Sequence, residues 1–164
     1  MTVDEYARWK TLAVRRPDDV PGATPLSWQI EKHGLHDDRL FNNALPADFP
    51  HEVERGDADD ALAALALRES IRRDIEHGRG NRIHEALKLG ATWRQIAAAV
   101  DVDTDAARRL LRAYADGQHN LHLRDVEHGE ARPLGFNAGE YAATIALCEL
   151  LGDDEVAPAP VGTR

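Results

Sequence analysis

The sequence predicts an all-α protein, and three observations carry that reading. Its apolar content, 43% of the chain, is mostly Ala, Leu, Ile and Val, with aromatics at only 5%, a composition that favours helices over strands. Several stretches place those residues at i, i+3, i+4 and i+7, the stripe of an amphipathic helix. Ser, Thr, Asp or Asn stands ahead of these stretches, where a helix needs an acceptor for its first free N–H groups. At 164 residues the chain is long enough for one domain with appendages.

Residues 3–15 give a first helix, with Val3, Tyr6, Ala7, Trp9 and Leu12 as its contacts and Pro17 and Pro21-Gly22 as its end. After a linker at 17–25, Ser27 caps a short helix to His33 that Gly34 stops. Asp37 or Asp38 caps another over 39–45, turning Leu40 and Phe41 inward. Pro46, Pro50 and the polar run to Gly56 make a loop. Trp9, Trp28 and Phe41 mark residues 1–56 as a segment that folds against the helical core or against a protein partner.

Asp57 or Asp59 caps the longest helix, about 58–77, whose Leu62, Leu65, Leu67, Ile71 and Ile75 suit a scaffold or a dimer seam. Gly78 and Gly80 separate it from a helix that Asn81 caps and Gly90 ends. Thr92 and Gln95 form a capping box for the next, from Trp93 to about Val100. Asp101-Val102-Asp103 is the turn, and Asp103 caps a helix from Thr104 to Asp116. There Ala107, Leu110, Leu111 and Tyr114 share one side, while Asp105, Arg109 and Arg112 lie opposite with Arg108 on the flank.

Beyond Gly117, Leu121, Leu123 and Val126 nearly alternate, His128-Gly129 can turn, and 131–136 can return. This stretch is either a small β-hairpin, placed as the wing of a winged helix would be, or an irregular loop; Pro133 removes a ladder donor. Asn137 and Glu140 open a last helix running to Leu151, stopped by Gly152. Residues 153–164, acidic and then Pro/Gly-rich, are expected to be a disordered tail. The predicted organisation is thus an N-terminal segment 1–56, a helical domain 57–152 and the tail.

Residues 81–116 resemble the helix-turn-helix of bacterial DNA-binding proteins through Ile96-Ala97, Val100, Val102, Ala107 and Leu110. Asp101 departs from that motif by standing where glycine is usual, and Asp103 and Asp105 bring acids to the start of the recognition helix. The resemblance implies a transcription regulator that binds double-stranded DNA as a homodimer. Thr92, Arg94 and Gln95 would anchor phosphates at a helix N-terminus. Thr104, Asp105, Arg108, Arg109 and Arg112 would face the major groove, with Arg108 or Arg109 pairing to guanine and Asp105 accepting from a cytosine amino group. Ile96–Tyr114 is also similar to the last domain of a sigma factor, which implies contacts with RNA polymerase.

Charge bears on that reading. The net charge is −9, yet residues 71–124 hold ten basic and seven acidic residues, a local +3 against −12 elsewhere. Phosphate attraction fades over a Debye length, so the local balance counts more. The −12 and the aromatic N-terminal segment motivate a second reading, a protein-binding adaptor whose helix-turn-helix is only a scaffold. Seventeen arginines against three lysines is the usage of a GC-rich bacterial genome.

Other chemistry lacks its residues. The lone Cys148 excludes an internal disulfide and suits a reducing cytoplasm. The pairs His33/His36 and His119/His122, with His128 nearby, stand without cysteines or an HExxH pattern, so no metal is expected. Neither GxSxG nor a glycine-rich phosphate loop occurs, and neither an enzyme nor a cofactor is expected. No apolar run approaches the ~18 residues of a membrane span, and MTVDEYARWK lacks the pattern of a signal peptide.

Overall fold

A computed structural model describes residues 3–150. They form six α-helices and no strand: α1 Val3–Thr11, α2 Leu26–Asn42, α3 Ala58–Lys88, α4 Trp93–Val100, α5 Thr104–Glu127 and α6 Ala138–Glu149, with a 3-10 turn at Pro17–Asp19. The chain divides into two compact units, residues 1–76 and 77–164. The division falls within α3, and the polar loop at 46–56 belongs to the first unit. The predicted tail, Leu151 and Gly152 lie outside the described residues.

In the first unit Trp9, Val14, Ala66 and Leu67 form the core, with Tyr6, Leu12, Val20 and Trp28 around them. Two buried polar groups are satisfied inside it, as burial requires. The amide of Gln29 accepts from Ser70 Oγ at 2.8 Å and donates to Asp74 at 2.6 Å. Lys32 Nζ donates to the carbonyls of Trp9 (2.8 Å), Lys10 (3.3 Å) and Leu12 at the end of α1. The helix predicted over 3–15 therefore stops at Thr11, and the two short helices expected around Gly34 are one, α2. Gly34 has open space beside it and costs that helix only about 1 kcal/mol relative to alanine.

The second unit is built around Ile83, Trp93, Ile96, Ala97, Ala107, Leu111 and Cys148, contributed by the end of α3 and by α4, α5 and α6. The expected break at Gly78 and Gly80 does not occur: α3 runs through both. Gly80 is a close-approach position. A Cβ there would lie 2.2 Å from Tyr114 Cβ and 3.1 Å from the Leu110 carbonyl.

Local capping chemistry forms the next elements as the sequence predicts. Gln95 N donates to Thr92 Oγ1 at 3.2 Å and Thr92 N to Gln95 Oε1 at 2.9 Å. Asp101 ends α4 with φ 54° and ψ 50°, the left-handed region that aspartate enters more readily than most residues. Asp103 Oδ1 accepts from Ala106 N at 2.6 Å and starts α5. Asn137 and Glu140 cap α6 reciprocally, at 3.0 Å and 2.9 Å.

Helix α5 does not end at Asp116 but continues to Glu127, so Leu121, Leu123 and Val126 are helical and the hairpin alternative is not formed. The return is an irregular loop laid along α5. Phe136 N donates to the Gln118 carbonyl at 3.1 Å and Leu134 N to Asp125 Oδ2 at 2.9 Å, while the His119 and His122 rings meet the carbonyls of Phe136 and Leu134. Gly135 (φ 78°) permits the approach, since a Cβ there would sit 2.1 Å from the Gln118 oxygen.

Candidate nucleic-acid interface

The candidate site is built on α4, the turn at Asp101 and α5. Ile96 and Ala97 on α4 are buried against Ala107 and Leu111 on α5, with Val102 and Leu110 packed beside them. This packing turns Asp105, Arg109, Arg112 and Asp116 outward along one exposed stripe of α5, at i, i+4, i+7 and i+11. Arg94 and Gln95 are exposed in the first turn of α4.

The predicted site residues therefore fall into different situations. Arg109 is exposed and has no hydrogen-bond or ion-pair partner among the described residues. Arg112 is 51% exposed, 3.9 Å from Glu149. Arg108 is drawn into the fold. Its side chain is only 19% exposed; it donates to the Leu150 carbonyl at 3.1 Å, lies 3.4 Å from Asp105, and sits 5.3 Å from the centre of the Trp93 ring. It holds the end of α6 onto the α4–α5 pair. Thr92 and Gln95 bond to each other in the capping box, which leaves the Gln95 amide NH2 as a donor. Thr104 is half-buried as the first residue of α5.

Trp93 belongs to this arrangement although its part was missed in the sequence, where it served only as the start of α4. It is 1% exposed, and its indole N–H donates to the Leu147 carbonyl at 3.1 Å. Its spacing from Ile96, Ala97 and Val100 places it on the same helical stripe, and that spacing was the available signal. Glu149, at the end of α6, was not legible in the same way, because its nearness to Arg112 depends on how α6 packs.

The electrostatics are mixed. Within residues 77–150, nine Lys and Arg face ten Asp and Glu. The local excess of 71–124 owes much to Arg72 and Arg73, which lie in the first unit and pair with Glu69, whose carboxyl they hold down at about 2. On the α5 stripe, Asp105 precedes the two arginines and Asp116 follows them; Asp116 accepts from the Tyr141 hydroxyl at 2.8 Å. Burial pushes the Cys148 thiol up, and its environment is that of a core residue.

Among the described residues no group of three or more His, Cys, Asp or Glu is placed to hold a metal ion. His33 meets Arg68 and Asp37, and His36 meets Asp60 at 2.6 Å. Nor is any described helix long and apolar enough to cross a membrane. The first unit carries a cleft of about 310 Å³ bordered by Trp9, Leu12, Pro21 and Trp28. Comparison with protein-family models, curated proteins and solved structures found no match.

Proposed function

We propose that this protein is a sequence-specific, double-stranded DNA-binding regulator that sets the first half of α5 in the major groove. The observation that carries the reading is the outward stripe of α5, where Arg109 and Arg112 are exposed while Ala107 and Leu111 are packed away on α4. Arg109 is the base reader, because its guanidinium is not engaged by the described fold; arginine against guanine is the commonest specific contact. Arg112 and Arg94 supply phosphate contacts, and the free N–H groups at the start of α4 add a weak positive end. Arg108 orders the unit by tying α6 to Trp93. A homodimer doubles the number of phosphate contacts, which a unit of nearly balanced charge needs.

Selection of bound duplexes from random DNA tests this. A palindromic winner establishes both the binding and the two-fold assembly. Arg109→Ala then weakens the selected site by about 1–3 kcal/mol, roughly 5- to 150-fold. Unchanged affinity in that variant removes Arg109 from the interface.

A second reading, the protein-binding adaptor, draws on the Trp9–Trp28 cleft and on Phe41, which is 75% exposed on α2. It predicts no duplex shift even at low salt, and a stable protein partner that is lost on Trp28→Ala or Phe41→Ala.

A further inference from the structure

A polar cavity of about 280 Å³ lies within the first unit, between the segment at 10–15, the middle of α2 and the start of α3. Residues 1–76 hold ten Lys and Arg against sixteen Asp and Glu. Even so, four of those ten cations, Lys10, Arg15, Lys32 and Arg39, border this one cavity together with His36. Only two of the sixteen carboxylates, Asp59 and Asp60, do so. An acidic unit thus gathers positive charge around one recess.

Lys10 and Lys32 are already engaged. Lys10 Nζ lies 4.8 Å from the centre of the Tyr6 ring, and Lys32 donates to the carbonyls at the end of α1. The other three groups have donors to spare. Arg15 spends one N–H on Asp59 at 2.7 Å, and Arg39 spends two, on Glu54 at 2.7 Å and Asp60 at 3.2 Å. Four and three of their five N–H groups therefore remain. His36 Nδ1 is 2.6 Å from Asp60 Oδ1; an ionised carboxylate can only accept, so that nitrogen carries a proton. Asp60 thereby fixes the ring, and Nε2 has no partner among the described residues. The two side chains are largely covered, at 18% and 12% exposure. Leu12, Val14, Leu35 and Ala63 add an apolar wall to the same cavity.

We propose that this cavity binds a small phosphomonoester, its phosphate held by His36 Nε2–H, Arg15 and Arg39 and its organic part set against the apolar wall. Guanidinium forks suit a phosphate, whose oxygens they grip in pairs. The volume sits at the small end of ligand sites, so the cavity takes a metabolite rather than a polymer. Binding also needs the second proton on the His36 ring, because Nε2 must donate. The charges around that ring are Asp59 and Asp60 from α3, Lys32 and Arg39 from α2, and Lys10 and Arg15 from the segment at 10–15. The carboxylates favour the imidazolium and the four cations oppose it; a bound dianion tips the balance toward it. The site lies wholly in the first unit and stands whether or not the second unit binds DNA.

The test follows the amide signals of the full chain during titration with sulfate, which keeps its two charges from pH 8 to pH 6. Signals of residues 12–15 and 35–39 move, and affinity is about three- to tenfold higher at pH 6. His36→Gln abolishes that pH dependence and loosens binding at pH 6 about tenfold. Asp59→Asn, which frees Arg15, tightens binding about threefold, a gain that a damaged fold cannot produce. At pH 8, where both are dianions, glycerol phosphate binds tighter than inorganic phosphate. Signals of 12–15 and 35–39 that stay still up to about 50 mM sulfate at pH 6 overturn the site. Equal binding by the parent chain, His36→Gln and Asp59→Asn also overturns it, because the anion then sits elsewhere. Glycerol phosphate no tighter than inorganic phosphate overturns the ester.

Discussion

Gly78 and Gly80 sit two residues apart in the middle of α3, and the same substitution at each should have opposite effects. Gly78 has open space beside it, with nothing within 4 Å of a built Cβ. Alanine there limits the unfolded chain and improves helix propensity, a gain of up to about 1 kcal/mol. Gly80 offers the same gain, but its Cβ would lie 2.2 Å from Tyr114 Cβ and 2.8 Å from Cγ. The Tyr114 Cβ is fixed by the backbone of α5 and cannot swing aside, so α3 and α5 must move apart. Overpacking of this kind costs about 1–3 kcal/mol and occasionally more. The severity of the contact puts Gly80→Ala at the upper end, a net loss of about 2 kcal/mol after the propensity gain. With about 2–4 °C per kcal/mol for a chain of this size, Tm rises by a few degrees in Gly78→Ala and falls by about 4–8 °C in Gly80→Ala. Far-UV circular dichroism gives the two midpoints. Amide exchange at Ala107, whose N–H bonds to the Asp103 carbonyl at 3.0 Å, assigns the change to the second unit. If Gly80→Ala is as stabilising as Gly78→Ala, α3 and α5 do not approach each other there and the account of that packing is wrong.

Other substitutions probe the same unit. Asp101→Gly relieves the left-handed turn and raises stability by up to about 1 kcal/mol in urea unfolding. Gly135→Ala meets both a positive φ and the Gln118 carbonyl; it costs about 3 kcal/mol and shows first as faster exchange of the Phe136 amide. Asn137→Ala removes the acceptor for the first turn of α6 and lowers stability by about 1 kcal/mol, read from the same unfolding curves. His84, beside Tyr114 and Phe136, has its pKa lowered by burial and by Lys88. The unfolded chain therefore takes up that proton more readily, so stability is full above the ordinary histidine range, near 6.5, and is lost as pH falls below it. Tm measured from pH 7.5 down to 5.5 should decline less steeply in His84→Gln than in the parent chain.

Capping was legible because it is chemistry within four residues. Thr92 with Gln95, Asp103, and Asn137 with Glu140 all form the bonds their spacing announces. Breakers were not legible in the same way. Gly34, Gly78, Gly80 and Gly117 all lie inside helices, because about 1 kcal/mol of propensity is small beside the burial of a helix face. Nothing in the local sequence distinguishes Gly78 from Gly80; the difference is Tyr114, more than thirty residues away. The second half of α5 escaped notice because Gln118, His122 and Asp125, which receive the return loop, are polar, so apolar periodicity does not display the stripe. At the candidate site, spacing placed Arg109 and Arg112 on the outer face, where they are. Arg108 needed knowledge of where residue 150 falls, which only the packed fold supplies.

The ammonium of Lys32 stands where the next turn of α1 would have supplied N–H donors, with its hydrogens shared among three carbonyl groups and the Trp9 ring 4.6 Å away. Lys10 and Lys88, the other two lysines, are exposed. An amine-reactive reagent would modify those two at once and reach Lys32 only when α1 frays. The acylation rate at that single nitrogen would thus clock the opening of the first unit, in a chain whose lysine content is low enough for intact-mass spectrometry to count each addition.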